Sequence, residues 1–175
     1  AGDHAVAVVK TYSALGMRQA GIRLIGPGDI TQDIKLREMG DEAIGLITMH
    51  HYNADLDNPA NKRFVAAWKK EYGPASTPDF VGVQGYDGMA AIAHVARTLN
   101  CKIDPGKALE ALKGWKYPDS PRGPIMIDPQ TRDIVMNEYL SELEKKDGRL
   151  HQKNLAVIPA VKDMCKELKV GRCGK

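Results

Sequence analysis

Apolar residues in the first third of the chain come in short blocks whose spacing alternates between helical and extended. Residues 5–15 carry apolar positions at helical intervals and end at Gly16, a residue suited to the left-handed geometry after a helix. Residues 22–25 form a short apolar run closed by Gly26-Pro27-Gly28, which predicts a strand. Thr31 is placed to cap a helix over 32–39 that Gly40 would end, and residues 43–49 predict a second buried strand. Helix, strand, helix, strand is the order of a parallel sheet with right-handed crossovers.

After residue 49 the pattern breaks. His50-His51-Tyr52-Asn53-Ala54-Asp55-Leu56-Asp57-Asn58 is polar and irregular and reads as a connection. Asn58 then caps a helix with Pro59 at its first position, and Phe64, Trp68 and Tyr72 recur every four residues along one face until Gly73-Pro74. Residues 80–99 fit two readings. Phe80, Val81 and Val83 suit a strand, whereas Met89, Ile92, Ala93, Val95, Ala96 and Leu99 have helical spacing. A short helix follows, capped by Asp104 with Pro105 after it, Leu109 and Leu112 facing inward and Gly114 beyond. The last third predicts strands over 124–127 and 134–143, a tight turn at Lys146-Asp147-Gly148, a strand over 155–158, and a tail that is a short helix or frayed.

Composition narrows the function classes. The chain has 175 residues, 43% hydrophobic and 27% charged, as in an ordinary globular protein. Its 25 basic and 22 acidic residues are interspersed and only 6% are aromatic, so nucleic acid is not an expected partner. No apolar run approaches the roughly 20 residues that span a bilayer. The opening Ala-Gly-Asp-His, followed directly by a helix, reads as an internal cut. Cys165 and Cys173 are close enough to bridge, or all three cysteines, Cys101 included, are free thiols. There is no Gly-x-Ser-x-Gly elbow, Walker loop, His-Glu-x-x-His or dinucleotide glycine motif. No catalytic residue, cofactor or metal ligand set is therefore assigned.

The order of motifs does carry a resemblance. Ile22-Arg23-Leu24-Ile25-Gly26-Pro27, Gly45-Leu46-Ile47-Thr48-Met49, Asn58-Pro59-Ala60-Asn61, Gly85-Tyr86-Asp87-Gly88-Met89 and Ser120-Pro121-Arg122-Gly123-Pro124-Ile125 follow one another over nearly the whole chain. In this order they resemble the type I periplasmic binding proteins of the branched-chain amino acid branch, and specifically their C-terminal half. The resemblance implies an α/β fold of parallel sheets flanked by helices in two lobes, present here as a partial chain. Residues 1–50 would belong to the second lobe and 54–130 to the later part of the first. Residues 131–175 would return to the second, with a hinge crossing at 50–53. It also implies that 80–99 is mainly one helix. The implied function is an extracytoplasmic, periplasmic solute carrier of an ABC importer, with a signal in the full-length precursor. Its partners would be an ABC permease, a small amino or carboxylic acid, and the missing N-terminal half or a second copy. The alternatives are a receptor's ligand-sensing domain or a hydrolase.

The resemblance points to ligand-binding residues at the carboxyl ends of strands. In amino-acid-binding relatives the residue after Gly-Pro is an acid that pairs with the ligand ammonium. Gly28 stands there instead, and Asp29 follows; Asp29 either reaches the ligand or belongs to the turn. Tyr86 matches a cleft-lining tyrosine or is a half-buried core residue. One of His50 and His51, with Tyr52, would contact ligand while the other packs or is solvated. His4, His94 and His151 are read as structural or exposed, and Trp68 and Trp115 as helix anchors.

Overall fold

A computed structural model describes residues 2–171. Helix α1 (Asp3–Ala14) buries Ala5, Val6 and Val9 and is followed by β1 (Ile25–Pro27) and β2 (Ile47–His50), which pair in parallel. Then come α2 (Pro59–Tyr72), α3 (Phe80–Thr98) and α4 (Pro105–Leu112). The strands β3 (Lys116–Tyr117), β4 (Ile125–Ile127), β5 (Ile134–Lys146) and β6 (Arg149–Val161) and the short helix α5 (Met164–Leu168) complete the described chain.

Local chemistry explains the helix ends. The Asn58 side chain accepts from the Asn61 N–H at 2.8 Å and Pro59 occupies the first helical position. Gly73, at φ 94°, ends α2. Asp104 caps α4 on the Lys107 N–H at 2.9 Å. Residues 80–98 are one helix, capped by Asp79 through the N–H groups of Val81 and Gly82. A Cβ at Gly82 would stand 3.1 Å from the Trp68 ring, so this glycine lets α3 lie close on α2.

The sheet runs β1-β2-β5-β4-β3, with β6 on β5. Among the described residues only β1–β2 is parallel; β5 is antiparallel to β2, β4 and β6. The parallel start is thus joined to an antiparallel hairpin that turns at Asp147-Gly148, both at positive φ (51° and 77°) as a primed turn requires. Mutual pairing extends β5 and β6 to 13 residues each, well past the apolar runs that predict them.

The predicted helix over 32–39 does not form. Three 3₁₀ turns, Gly28–Thr31, Leu36–Glu38 and Asp41–Ala43, take its place. Thr31 caps nothing: its buried hydroxyl lies 3.1 Å from the Thr48 hydroxyl and 3.3 Å from Gln152 Oε1. Asp33 is buried too and accepts the Ala54 N–H at 3.2 Å. Successive polar side chains drawn inward toward β2, β6 and residue 54 are incompatible with one helical face. The first two strands are also shorter and later than predicted, and Ile22 is 52% exposed. Leu109 points outward at 55% exposure, whereas Leu112 is half-buried.

Two hydrophobic cores result among the described residues. One gathers Val9, Leu36, Met39, Ala43, Leu46 and Leu143. The other gathers Tyr52, Leu56, Phe64, Val83 and Tyr139, with Trp68 and Phe80 against it. The segment 50–58 passes between them and is pinned at Asn53. The Asn53 amide donates to Ser141 Oγ at 3.2 Å and Asn154 Oδ1 at 2.9 Å. Cys101 is free and exposed; the Cys165–Cys173 pairing lies outside the described residues because Cys173 does.

Candidate ligand-binding site

Parallel pairing of Gly26 with Thr48 and Pro27 with Met49 brings the carboxyl ends of β1 and β2 to one level. Gly28 and Asp29 therefore emerge beside His50. Gly28 is buried, and a Cβ there would stand 2.3 Å from both Cβ and Cδ2 of His50. The imidazole fills the space that a side chain at 28 would need. His50 Nε2 is 4.0 Å from the half-exposed carboxylate of Asp29. Its Nδ1 accepts the His51 backbone N–H at 2.9 Å, so the neutral ring carries its proton on Nε2, turned toward Asp29. Burial pushes the His50 pKa down, partly opposed by Asp29. The Phe80 ring, at the start of α3, lies 4.5 Å from the His50 ring, tilted by 31°. Gly28, Asp29, His50 and Phe80 thus form a small cluster, the cup, in which the imidazole Nε2–H and the Asp29 carboxylate lie beside two rings packed on each other.

His51 is buried behind this cup. Arg122 Nη1 lies 3.2 Å from its Nδ1, and the Gln84 side-chain amide lies 3.1 Å from its Nε2. A guanidinium only donates, so Nδ1 accepts and Nε2 carries the proton; the Gln84 amide, whose Nε2 is placed toward the ring, accepts that proton when turned by 180° to present its oxygen. Burial, then the nearby charges of His50 and Arg122, push the His51 pKa down to about 3. His51 is a neutral, fixed ring at physiological pH. Arg122 is itself buried and pairs through Nε with Asp87 Oδ2 at 2.7 Å; Ser120 Oγ donates to the same oxygen at 3.0 Å. Burial raises the Asp87 pKa against the opposing pull of Arg122.

The structure places the other two candidate residues elsewhere. Tyr52 is 2% exposed and its hydroxyl donates to Asn61 Oδ1 at 2.9 Å, so it belongs to the core under α2. Burial raises its pKa beyond the range in which phenols ordinarily titrate. Tyr86 is half-exposed, but its ring packs on Phe64 at 4.9 Å. α3 turns Gln84 and Asp87 toward His51 and Arg122, which leaves Tyr86 on another face. Sequence reasoning missed Phe80, Gln84, Asp87 and Arg122. Asp87 and Arg122 do stand inside the Gly-Tyr-Asp-Gly and Ser-Pro-Arg-Gly stretches, and an arginine following an acid in separate glycine-bearing motifs was the available signal. A separate cavity of about 330 Å³, lined among others by Asp33, Arg37, Asp55, Lys145 and Arg149, includes none of the cup residues.

Known proteins match along the same stretch. The family model described as a periplasmic binding protein matches residues 1–149. Leu/Ile/Val-binding protein homolog 6 of Brucella melitensis is 38% identical over 155 residues, which cover 88% of this chain and 40% of that protein. The chain thus spans about two fifths of the length of the curated relatives it matches. Among solved structures, a solute binding protein of an ABC transporter from Rhodopseudomonas palustris BisB5, in complex with 3,4-dihydroxybenzoic acid, is 43% identical. It superposes with a TM-score of 0.86 over 93% of this chain and 44% of that one. A solute binding protein from R. palustris HaA2, in complex with p-hydroxybenzoic acid, is 36% identical, with a TM-score of 0.87 over 94% of this chain and 44% of its own. The fold seen here is therefore that of part of such a protein. With residues 1–149 inside the family match, the chain belongs to the periplasmic binding protein family.

Proposed function

We propose that the full protein captures a small aromatic or branched organic acid between two lobes and delivers it to the permease of an ABC importer, in the periplasm and without a chemical step. Residues 1–50 and 131–175 belong to one lobe and 54–130 to the other, with 50–53 as a crossing. Asp29 and His50 face the ligand across the cup. Tyr52 and Tyr86 do not.

The observation that carries this reading is the packing of Gly28 against His50. The amino-acid-binding branch that the sequence resembles has an acid at this place to hold the ligand ammonium. Here no side chain fits, because the imidazole occupies that space and brings an N–H donor beside an aromatic ring. A ligand with a ring or branched chain and no ammonium suits these surroundings. The ligands held by the two R. palustris relatives, 3,4-dihydroxybenzoic and p-hydroxybenzoic acid, are of this kind. Calorimetry on the full-length protein tests the proposal with leucine, its deaminated keto acid and 4-hydroxybenzoate. We expect one of the acids to bind more tightly than leucine; tighter binding of leucine than of either acid refutes it.

A further inference from the structure

The segment after β1 and the loop before α3 are tied at two points outside the cup. Gln32 Nε2 donates to Asp79 Oδ2 at 2.7 Å, and the Arg37 guanidinium donates to the Ala75 carbonyl. These contacts join the two cores. Leu36, between Gln32 and Arg37, is buried in the core under α1, whereas Phe80, next to Asp79, packs on the core under α2.

The acceptor is held ready. Asp79 is 8% exposed and its two oxygens are divided. Oδ1 takes the N–H groups of Val81 and Gly82 at 3.0 and 2.9 Å, which fixes the carboxylate plane, and Oδ2 is left for Gln32. The loop is braced on its own side by Trp68, whose Nε1 donates to Ser76 Oγ at 2.8 Å. Phe80 follows Asp79 directly, so whatever fixes Asp79 also fixes the Phe80 ring over His50.

We propose that the Gln32–Asp79 hydrogen bond, supported by Arg37 on the Ala75 carbonyl, is the seam that closes the cup. It is a positioning contact that governs how long a ligand is retained. This rests on the proposed capture of an acid between two lobes. Opening would part the seam and withdraw Phe80 from His50; closure remakes a charge-assisted bond to a pre-oriented acceptor. Such a bond is worth roughly tenfold or more in the rate of ligand release.

An added charge with rescue tests the seam in the full-length protein, with 4-hydroxybenzoate as the probe. Gln32→Glu sets a second carboxylate against Asp79 Oδ2. Adding Asp79→Asn restores a donor across the seam, while the amide oxygen keeps the α3 cap, for which asparagine serves as well as aspartate. Stopped-flow release should accelerate about tenfold or more in Q32E, with association changed by less than about threefold, and should recover in Q32E/D79N. In parallel, electron–electron distances between spin labels at E38C and E71C in a C101S background should lengthen in ligand-free Q32E and revert in the double variant. Unchanged release, or a double variant that does not recover, overturns the proposal. If the wild-type protein binds neither 4-hydroxybenzoate nor a keto acid, the capture reading fails. The ligand-free distances then decide the seam alone: no lengthening in Q32E overturns it.

Discussion

Gly28 and His50 share one volume: a Cβ added to the glycine would lie 2.3 Å from two carbons of the imidazole, closer than side chains pack. The residue type at 28 is thereby coupled to the residue at 50, at the ends of two neighbouring strands. This coupling separates the cup from one built around an acid at position 28.

The first prediction tests the coupling. Gly28→Ala should destabilise the protein by about 1–3 kcal/mol, because the ring or the backbone must move. His50→Ala on the same chain should remove most of that penalty, giving a coupling above about 0.5 kcal/mol in a double-mutant cycle read by urea unfolding. Additive effects would show that the two residues do not compete for space.

A second prediction concerns the two histidines. Both should appear in ¹⁵N-resolved NMR as neutral rings protonated on Nε2, because Nδ1 of each accepts a fixed donor. With its pKa pushed down to about 3, His51 should not titrate between pH 5 and 8. A midpoint for His51 near 6.5 would mean that Arg122 does not face it as described.

Asp33 supplies a pH dependence of stability. Its carboxyl is fully buried, and burial raises its pKa to about 8, with Asp55 and Asp79 adding to the rise and the Ala54 N–H opposing it. A carboxyl with a raised folded-state pKa binds its proton more tightly in the folded chain than in the unfolded one. Its contribution is therefore complete below pH about 4 and is lost as pH rises toward about 8, at up to about 1.4 kcal/mol per pH unit. Asp33→Asn keeps an oxygen for the Ala54 N–H and should flatten the fall in urea stability between pH 5 and 8. Equal slopes in wild type and D33N would count against a protonated Asp33.

The buried Asp87–Arg122 pair yields the fourth prediction. Their side chains are 3% and 4% exposed, so removing one partner strands a charge. Asp87→Ala should cost about 3–5 kcal/mol in chemical denaturation, whereas R122M/D87L should cost clearly less than the two single changes together. A D87A variant within 1 kcal/mol of wild type would show that the pair is solvated.

How much was legible in the sequence divides along a physical line. Asn58-Pro59, Gly73, Asp104-Pro105 and Asp147-Gly148 set their turns and helix ends through contacts within a few residues, and all are readable in order. Spacing over residues 80–99 leaves strand and helix open; the motif order, which identified the family, chose the helix that runs from Phe80 to Thr98. The sequence also marked Gly28 as a departure from the amino-acid-binding pattern.

Tertiary structure alone decided what contacts distant residues impose. Thr31 is 121 residues from Gln152, and that contact turns a helix-like stretch into 3₁₀ turns. Arg122 is 71 residues from His51 and 35 from Asp87, so neither spacing nor composition could pair them. Motif order placed Tyr86 on its helix but not on a face; packing against Phe64 chose the face. Local steric rules make an element's start and stop a property of a few neighbouring residues. Which side chain fills the volume beside Gly28 depends on two strands meeting at one level, and only the folded sheet brings His50 there.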